Sequence, residues 1–230
     1  MAKKATKKQQ VEEEELEYEE VEAKKGLEEI ISESRYLVLG IAGAIALVIL
    51  GFVGYRYLKA SQNTEAQELM VEAPYFYERD SLAYAIDGQG EFMGFSEISE
   101  EFNGTKAADQ ANYYSGVISL RQGNPDAAID YLNKVPTTNS MLDPMKYIAL
   151  ANAYAALGDF DASAKNFEKA SKLPNETEHT TPHLLLKAGE TYELAGNDSK
   201  ALSLYQSIKK TYPEIAQTLQ IEKYLARLGE

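Results

Sequence analysis

Hydrophobic and polar positions change their rhythm several times along this chain. Residues 1–34 alternate blocks of charge: MAKKATKKQQ is basic and VEEEELEYEEVE is acidic, with few large apolar side chains. Such a segment cannot bury enough surface to offset its ordering entropy, so it reads as a disordered tail. From Tyr36 to Tyr55 the charges vanish. About twenty uncharged residues at 1.5 Å each cover the roughly 30 Å hydrocarbon core of a bilayer. A core helix of a soluble domain is shorter and broken by polar residues. A cleavable signal peptide starts nearer the N-terminus and ends in a small-residue cleavage site. Here a long polar segment comes first, and the run leaves through Tyr55-Arg56-Tyr57-Leu58-Lys59, an aromatic and basic interfacial belt. The pattern predicts a signal-anchor helix over 35–58. Lys24, Lys25 and Arg35 before it outnumber Arg56 and Lys59 after it, which places the N-terminus in the cytoplasm.

Within that run small residues share one side. At about 100° per residue, Gly40, Gly43, Gly51 and Gly54 fall in an arc of roughly 80°, with Ala44 at its edge. Small side chains let a second membrane helix approach closely, so this stripe is the expected packing face for another protein or a second copy.

Behind the anchor the rhythm becomes helical. SQNTEAQELMVEAPYFYERDSLAYAIDG reads as one long or Pro74-kinked helix, and GEFMGFSEISEEFNG as a shorter one, together a degenerate unit over 59–104. Then three segments align: ANYYSGVISLRQGNPDAAIDYLNKV, KYIALANAYAALGDFDASAKNFEKA and LLLKAGETYELAGNDSKALSLYQSI. Each is an apolar-periodic helix, a Gly-Asn or Gly-Asp turn and a second helix. Gly123, Gly158 and Gly196 mark the turns, spaced by 35 and 38 residues. A period near 34 with two helices per unit is the mark of an α-solenoid. After Pro213, the apolar Ile215, Leu219, Tyr224, Leu225 and Leu228 predict a capping helix over 214–230.

The detail resembles the tetratricopeptide repeat. A small residue stands seven before each turn glycine (Gly116, Ala151, Gly189), and another five after it (Ala128, Ser163, Ala201). A bulky one stands nine after it (Leu132, Phe167, Tyr205). Tyr154 and Tyr192 match the aromatic four before the glycine, and Ser119 departs. Val135, Ala170 and Ile208 occupy the position where the family prefers alanine; Pro213 closes its unit in register, Pro174 one residue early and Pro136 several. The expected fold is all-α: one membrane helix, then about three repeats over 105–213.

That resemblance implies that the first helix of each repeat lines a groove. By register the groove candidates are Tyr113, Val117 and Arg121, then Ile148 and Asn152, then Leu186, Glu190 and Glu193. Apolar and mildly acidic side chains suit an extended or helical polypeptide. The Lys/Asn set with which chaperone-tail clamps of the superfamily hold a C-terminal carboxylate is missing there.

Composition narrows the chemistry. The 230 residues carry a net charge of −13 and no cysteine, which excludes disulfides, a cysteine nucleophile and cysteine-ligated zinc. The acidic balance argues against nucleic acid as a partner. The only histidines, His179 and His183, flank Pro182, which disfavours a regular helix through both and with it a metal pair. No nucleophile elbow, phosphate-cradling loop or HExxH appears. No catalytic, metal or cofactor residue is therefore expected, and the chain reads as a non-enzyme.

The whole order resembles the bacterial ancillary subunit of the SecYEG translocon, the YfgM-like family, from about Arg35 to the end. Its most specific local piece is GYRYLKASQNTEAQELM; the longer lysine/glutamate tail departs from it. The resemblance implies an inner-membrane protein with periplasmic repeats, working with the translocon and a membrane-anchored periplasmic chaperone on secreted polypeptides. The competing expectation is a scaffold for another envelope complex, with a homo-oligomer formed through the glycine stripe.

Overall fold

The computed structural model describes residues 35–138, 141–173 and 177–229, so the charged tail and Pro174 lie outside the described residues. The chain divides into two compact units, Met1–Leu58 and Lys59–Glu230. Among the described residues every regular element is a helix, apart from one isolated bridge between Gln89 and Phe92.

In the first unit, α1 (Arg35–Leu69) begins. Tyr36, Leu37 and the large apolar side chains from Leu39 to Leu58 stand exposed, with Leu47 at 72% and Val48 at 71%. The helix is long and apolar enough to cross a membrane. The run lacks Pro and is rich in Ala, Leu, Ile and Val, so nothing interrupts its backbone ladder.

In the second unit, the end of α1 joins α2 (Ala73–Glu78), α3 (Leu82–Asp87) and α4 (Phe95–Glu101) around a core of Ala66, Met70, Ala85, Phe95, Ile98 and Phe102. The long or kinked helix expected here is broken in two places. Pro74 lies in the first turn of α2, where its missing N–H costs nothing, and Asp80 turns the chain at φ +58°. GEFMG is not helical either. A Cβ on Gly94 would stand 2.2 Å from the Ile86 carbonyl oxygen and 2.4 Å from the Gly88 nitrogen, so two backbones cross where only hydrogen fits.

Three helix pairs follow: α5 (Lys106–Arg121) with α6 (Pro125–Lys134), α7 (Leu142–Ala156) with α8 (Phe160–Ser171), and α9 (Thr180–Leu194) with α10 (Asp198–Thr211). Each turn is built alike. Gly123, Gly158 and Gly196 adopt φ of +78°, +78° and +74°, and the next residue's N–H reaches back to Ser119, Tyr154 or Tyr192 at 2.9, 2.9 and 2.8 Å. That is the glycine-terminated helix end with its left-handed residue. The following Asp159 and Asn197 then cap α8 and α10, accepting from the Ala162 and Lys200 N–H groups. One dipeptide thus ends one helix and starts the next.

The small and bulky positions meet inside each pair. A Cβ on Gly116 would stand 2.6 Å from Leu132 Cγ, and one on Gly189 would stand 2.4 Å from Tyr205 Cε1. In the middle pair Ala151 and Phe167 share one cluster. Between the first two pairs, fully buried Asp143 accepts from the Thr138 N–H at 3.1 Å, and Lys146 donates to the Val135 carbonyl at 2.5 Å. These bonds hold the connecting turn.

The predicted cap is two helices, α11 (Pro213–Thr218) and α12 (Ile221–Arg227). Gln220, left-handed at φ +54°, separates them and redirects the chain so that Ile221 and Leu225 reach the core beside Tyr205 and Ile208. Burying two such side chains is worth roughly 1.5–3 kcal/mol each.

Candidate functional site

The apolar helix offers the simplest surface. Gly40, Gly43, Gly51 and Gly54 have nothing within 4 Å of where a Cβ would stand, and Ala44 is exposed.

The groove candidates occupy the first helices of the pairs, and their surroundings differ. Tyr113 and Val117 on α5 are half-buried against Leu132, Ala149 and Leu150. Arg121 reaches Asp80 at 3.4 Å and lies over the Tyr77 ring at 5.1 Å. On α7, Ile148 is half-buried and Asn152 is exposed. Leu186 on α9 is half-buried against the C-terminal core.

Glu190 and Glu193 are engaged within the chain. Tyr224 of α12 donates to Glu190 at 3.0 Å, while Arg227 and Tyr205 donate to Glu193 at 2.6 and 2.5 Å. The rings of Tyr205 and Tyr224 lie 5.2 Å apart. Burial and the Glu193 carboxylate push the Tyr205 hydroxyl well above the usual phenol range; burial and Glu190 push Tyr224 up as well. These two register positions thus receive the cap, as a following repeat's first helix would be received. The open stretch of the face is Tyr113, Val117, Ile148, Asn152 and Leu186.

A second carboxylate–phenol pair joins the last two repeats. Tyr192, 1% exposed, donates to Glu168 at 2.6 Å, and Lys172 takes the other Glu168 oxygen at 2.9 Å. Burial works against the Glu168 anion, but those hydrogen bonds and the charges of Lys172 and Lys200 hold it below the usual carboxylate range. Burial and Glu168 raise Tyr192 in turn. Sequence periodicity finds Tyr192 but not its partner, because the two lie 24 residues apart in chain.

Among the described residues no group of three or more His, Asp or Glu could hold a metal. The helix α9 contains His183 and leaves His179 at its cap, with Pro182 tolerated in the first turn.

Geometry and pattern define a class, a helical-repeat protein carrying one long apolar helix. Comparison with known families sharpens it: residues 147–177 and 183–214 each match the tetratricopeptide repeat. These segments are the α7/α8 and α9/α10 pairs, and proteins built of such repeats typically serve as non-catalytic protein-interaction scaffolds. A search of curated proteins returned no match.

Proposed function

We propose that this chain is a single-pass, membrane-anchored adaptor that holds polypeptide on its repeats, and that it serves the Sec translocon as an accessory subunit. In this reading residues 1–34 form a cytoplasmic tail, 35–58 span the bacterial inner membrane, and 59–230 stand in the periplasm. The degenerate unit covers 59–104, the repeats 105–213 and the cap 214–230. The observation that carries the reading is the pairing of an exposed apolar helix with a repeat scaffold whose first-helix face keeps apolar side chains half-open to solvent. Tyr113, Val117, Ile148 and Leu186 offer apolar contact, and Asn152 offers an amide to a backbone. The stripe of Gly40, Gly43, Ala44, Gly51 and Gly54 is open for a helix of the channel or of a membrane-anchored chaperone. The translocon assignment rests on the resemblance from Arg35 onward.

A photoreactive residue at the exposed Asn152 tests the reading without disturbing the core. Irradiation during secretion is expected to link it to translocating polypeptides. Links only to a second copy of this chain would instead favour the envelope scaffold.

A further inference from the structure

A cavity of about 370 Å³ opens on α7 and α8, lined chiefly by Tyr154, Lys165, Asn166, Glu168, Lys169 and Lys172. None of the eight groove candidates lines it. Its donors outnumber its acceptors. Both oxygens of Glu168, the carboxylate among these residues, are taken by Tyr192 and Lys172. Lys165 pairs with Asp161, which Lys200 also approaches at 3.7 Å. Lys169 has no carboxylate partner among the described residues and lies 5.6 Å from the centre of the Tyr147 ring. Asn166, only 6% exposed, spends its amide on the Ala162 carbonyl at 2.8 Å. Set against Asp161 and Glu168, the three lysines leave this recess one net positive charge, carried by Lys169, in a chain of net charge −13.

We propose that this recess is a second docking site, separate from the groove, for an acidic segment of a partner polypeptide. The arrangement of the lysines decides the class of anion. Lys165 and Lys169 on α8 and Lys172 at its C-cap recur at helical spacing, so their Cα atoms span about 10 Å at 1.5 Å per residue. Anchored along that length, they suit several carboxylates in sequence better than a single point anion. Alternate residues of an extended chain lie about 6.6–6.8 Å apart, so its carboxylates can follow such a row. The acidic remainder of the protein repels the same segment elsewhere, which confines it to this recess.

The test uses the full chain in neutral detergent micelles and fluorescence anisotropy of a short labelled peptide of alternating Glu and Ser. A twin with Gln in place of Glu is the control. At low salt the acidic peptide is expected to bind about tenfold more tightly than its twin, and this preference should fade at 1 M salt, where the Debye length is about 3 Å. Lys169→Glu, at an exposed position, should remove most of the preference with helicity unchanged. Asn152→Ala, at the exposed groove position, should leave it intact, which separates this site from the groove reading. Equal binding of the two peptides, or acidic-peptide binding untouched by Lys169→Glu, would overturn the proposal. So would displacement of the peptide by inorganic phosphate at matching concentration, which would mark a point-anion site.

Discussion

Replacing Gly189 by alanine puts the helix-crossing argument at its greatest risk. Alanine is the better helix former, and propensity alone predicts a gain of about 0.5–1 kcal/mol. The packing predicts the opposite. The new Cβ would stand 2.4 Å from Cε1 and 2.8 Å from Cζ of Tyr205. Carbon atoms prefer roughly 3.5–4.0 Å, so the ring must retreat by about 1 Å. It has nowhere to go: Tyr205 is fully buried, its hydroxyl is held by Glu193 at 2.5 Å, and the Tyr224 ring lies 5.2 Å away. Overpacking costs about 1–3 kcal/mol. Loss of a hydrogen bond to a charged group costs about 1.5–3 more. The expected net is a destabilisation of roughly 1.5–5.5 kcal/mol. Urea unfolding of the full chain in mild detergent, followed by far-ultraviolet circular dichroism, reads it as a lower midpoint. Adding Gly189→Ala to Tyr205→Leu should cost far less than adding it to the wild type, because the obstructing ring is gone. A midpoint for Gly189→Ala at or above that of the wild type would refute the close-crossing account.

The same unfolding assay checks the remaining expectations. Gly158→Ala forces a side chain into the left-handed region at φ +78° and should cost about 1–2 kcal/mol, although no atom lies within 4 Å of the added Cβ. Leu225→Ala should cost about 2–5 kcal/mol, because the side chain is 2% exposed, whereas loss of the half-exposed Arg227 from its pair with Glu193 should cost under about 1 kcal/mol. Alkaline stability should fall as pH rises above about 10, the ordinary phenol range. Tyr192 and Tyr205 are raised in the folded protein, so there the unfolded chain sheds protons that the folded one keeps, and folding weakens. Tyr192→Phe and Tyr205→Phe should flatten that decline. Glu168 is lowered, so its contribution is present above its ordinary value near 4.5 and is lost on acidification through the folded value.

The parts legible in the sequence are those that repeat locally. Gly123, Gly158 and Gly196 announce the turns because only glycine takes a left-handed helix end without cost, and each is followed by a residue suited to start a helix. The small residue seven before and the bulky residue nine after are a contact written at fixed spacing, and Gly189 meets Tyr205 through it. Legibility fails where one copy of a feature exists or where the partner is remote. Nothing in EIAQTLQIEKYLARLG marks Gln220 as the break between α11 and α12, since an unbroken amphipathic helix fits the same letters. Glu190 and Glu193 sit at register positions predicted to face a groove, yet their partners Tyr224 and Arg227 lie 34 residues away in the cap. The degenerate unit lacks the repeat's spacing, so the turn at Asp80 and the close crossing of Gly88 and Gly94 follow from tertiary packing and not from periodicity.

Co-purification of the tagged full chain from native membranes in mild detergent, with partners identified by mass spectrometry, tests the central claim most directly. The account predicts stoichiometric recovery of SecY-type channel subunits, with or without a periplasmic chaperone, and its loss on Gly51→Leu. Recovery of this chain alone, or of outer-envelope assembly proteins in place of the channel, would contradict it.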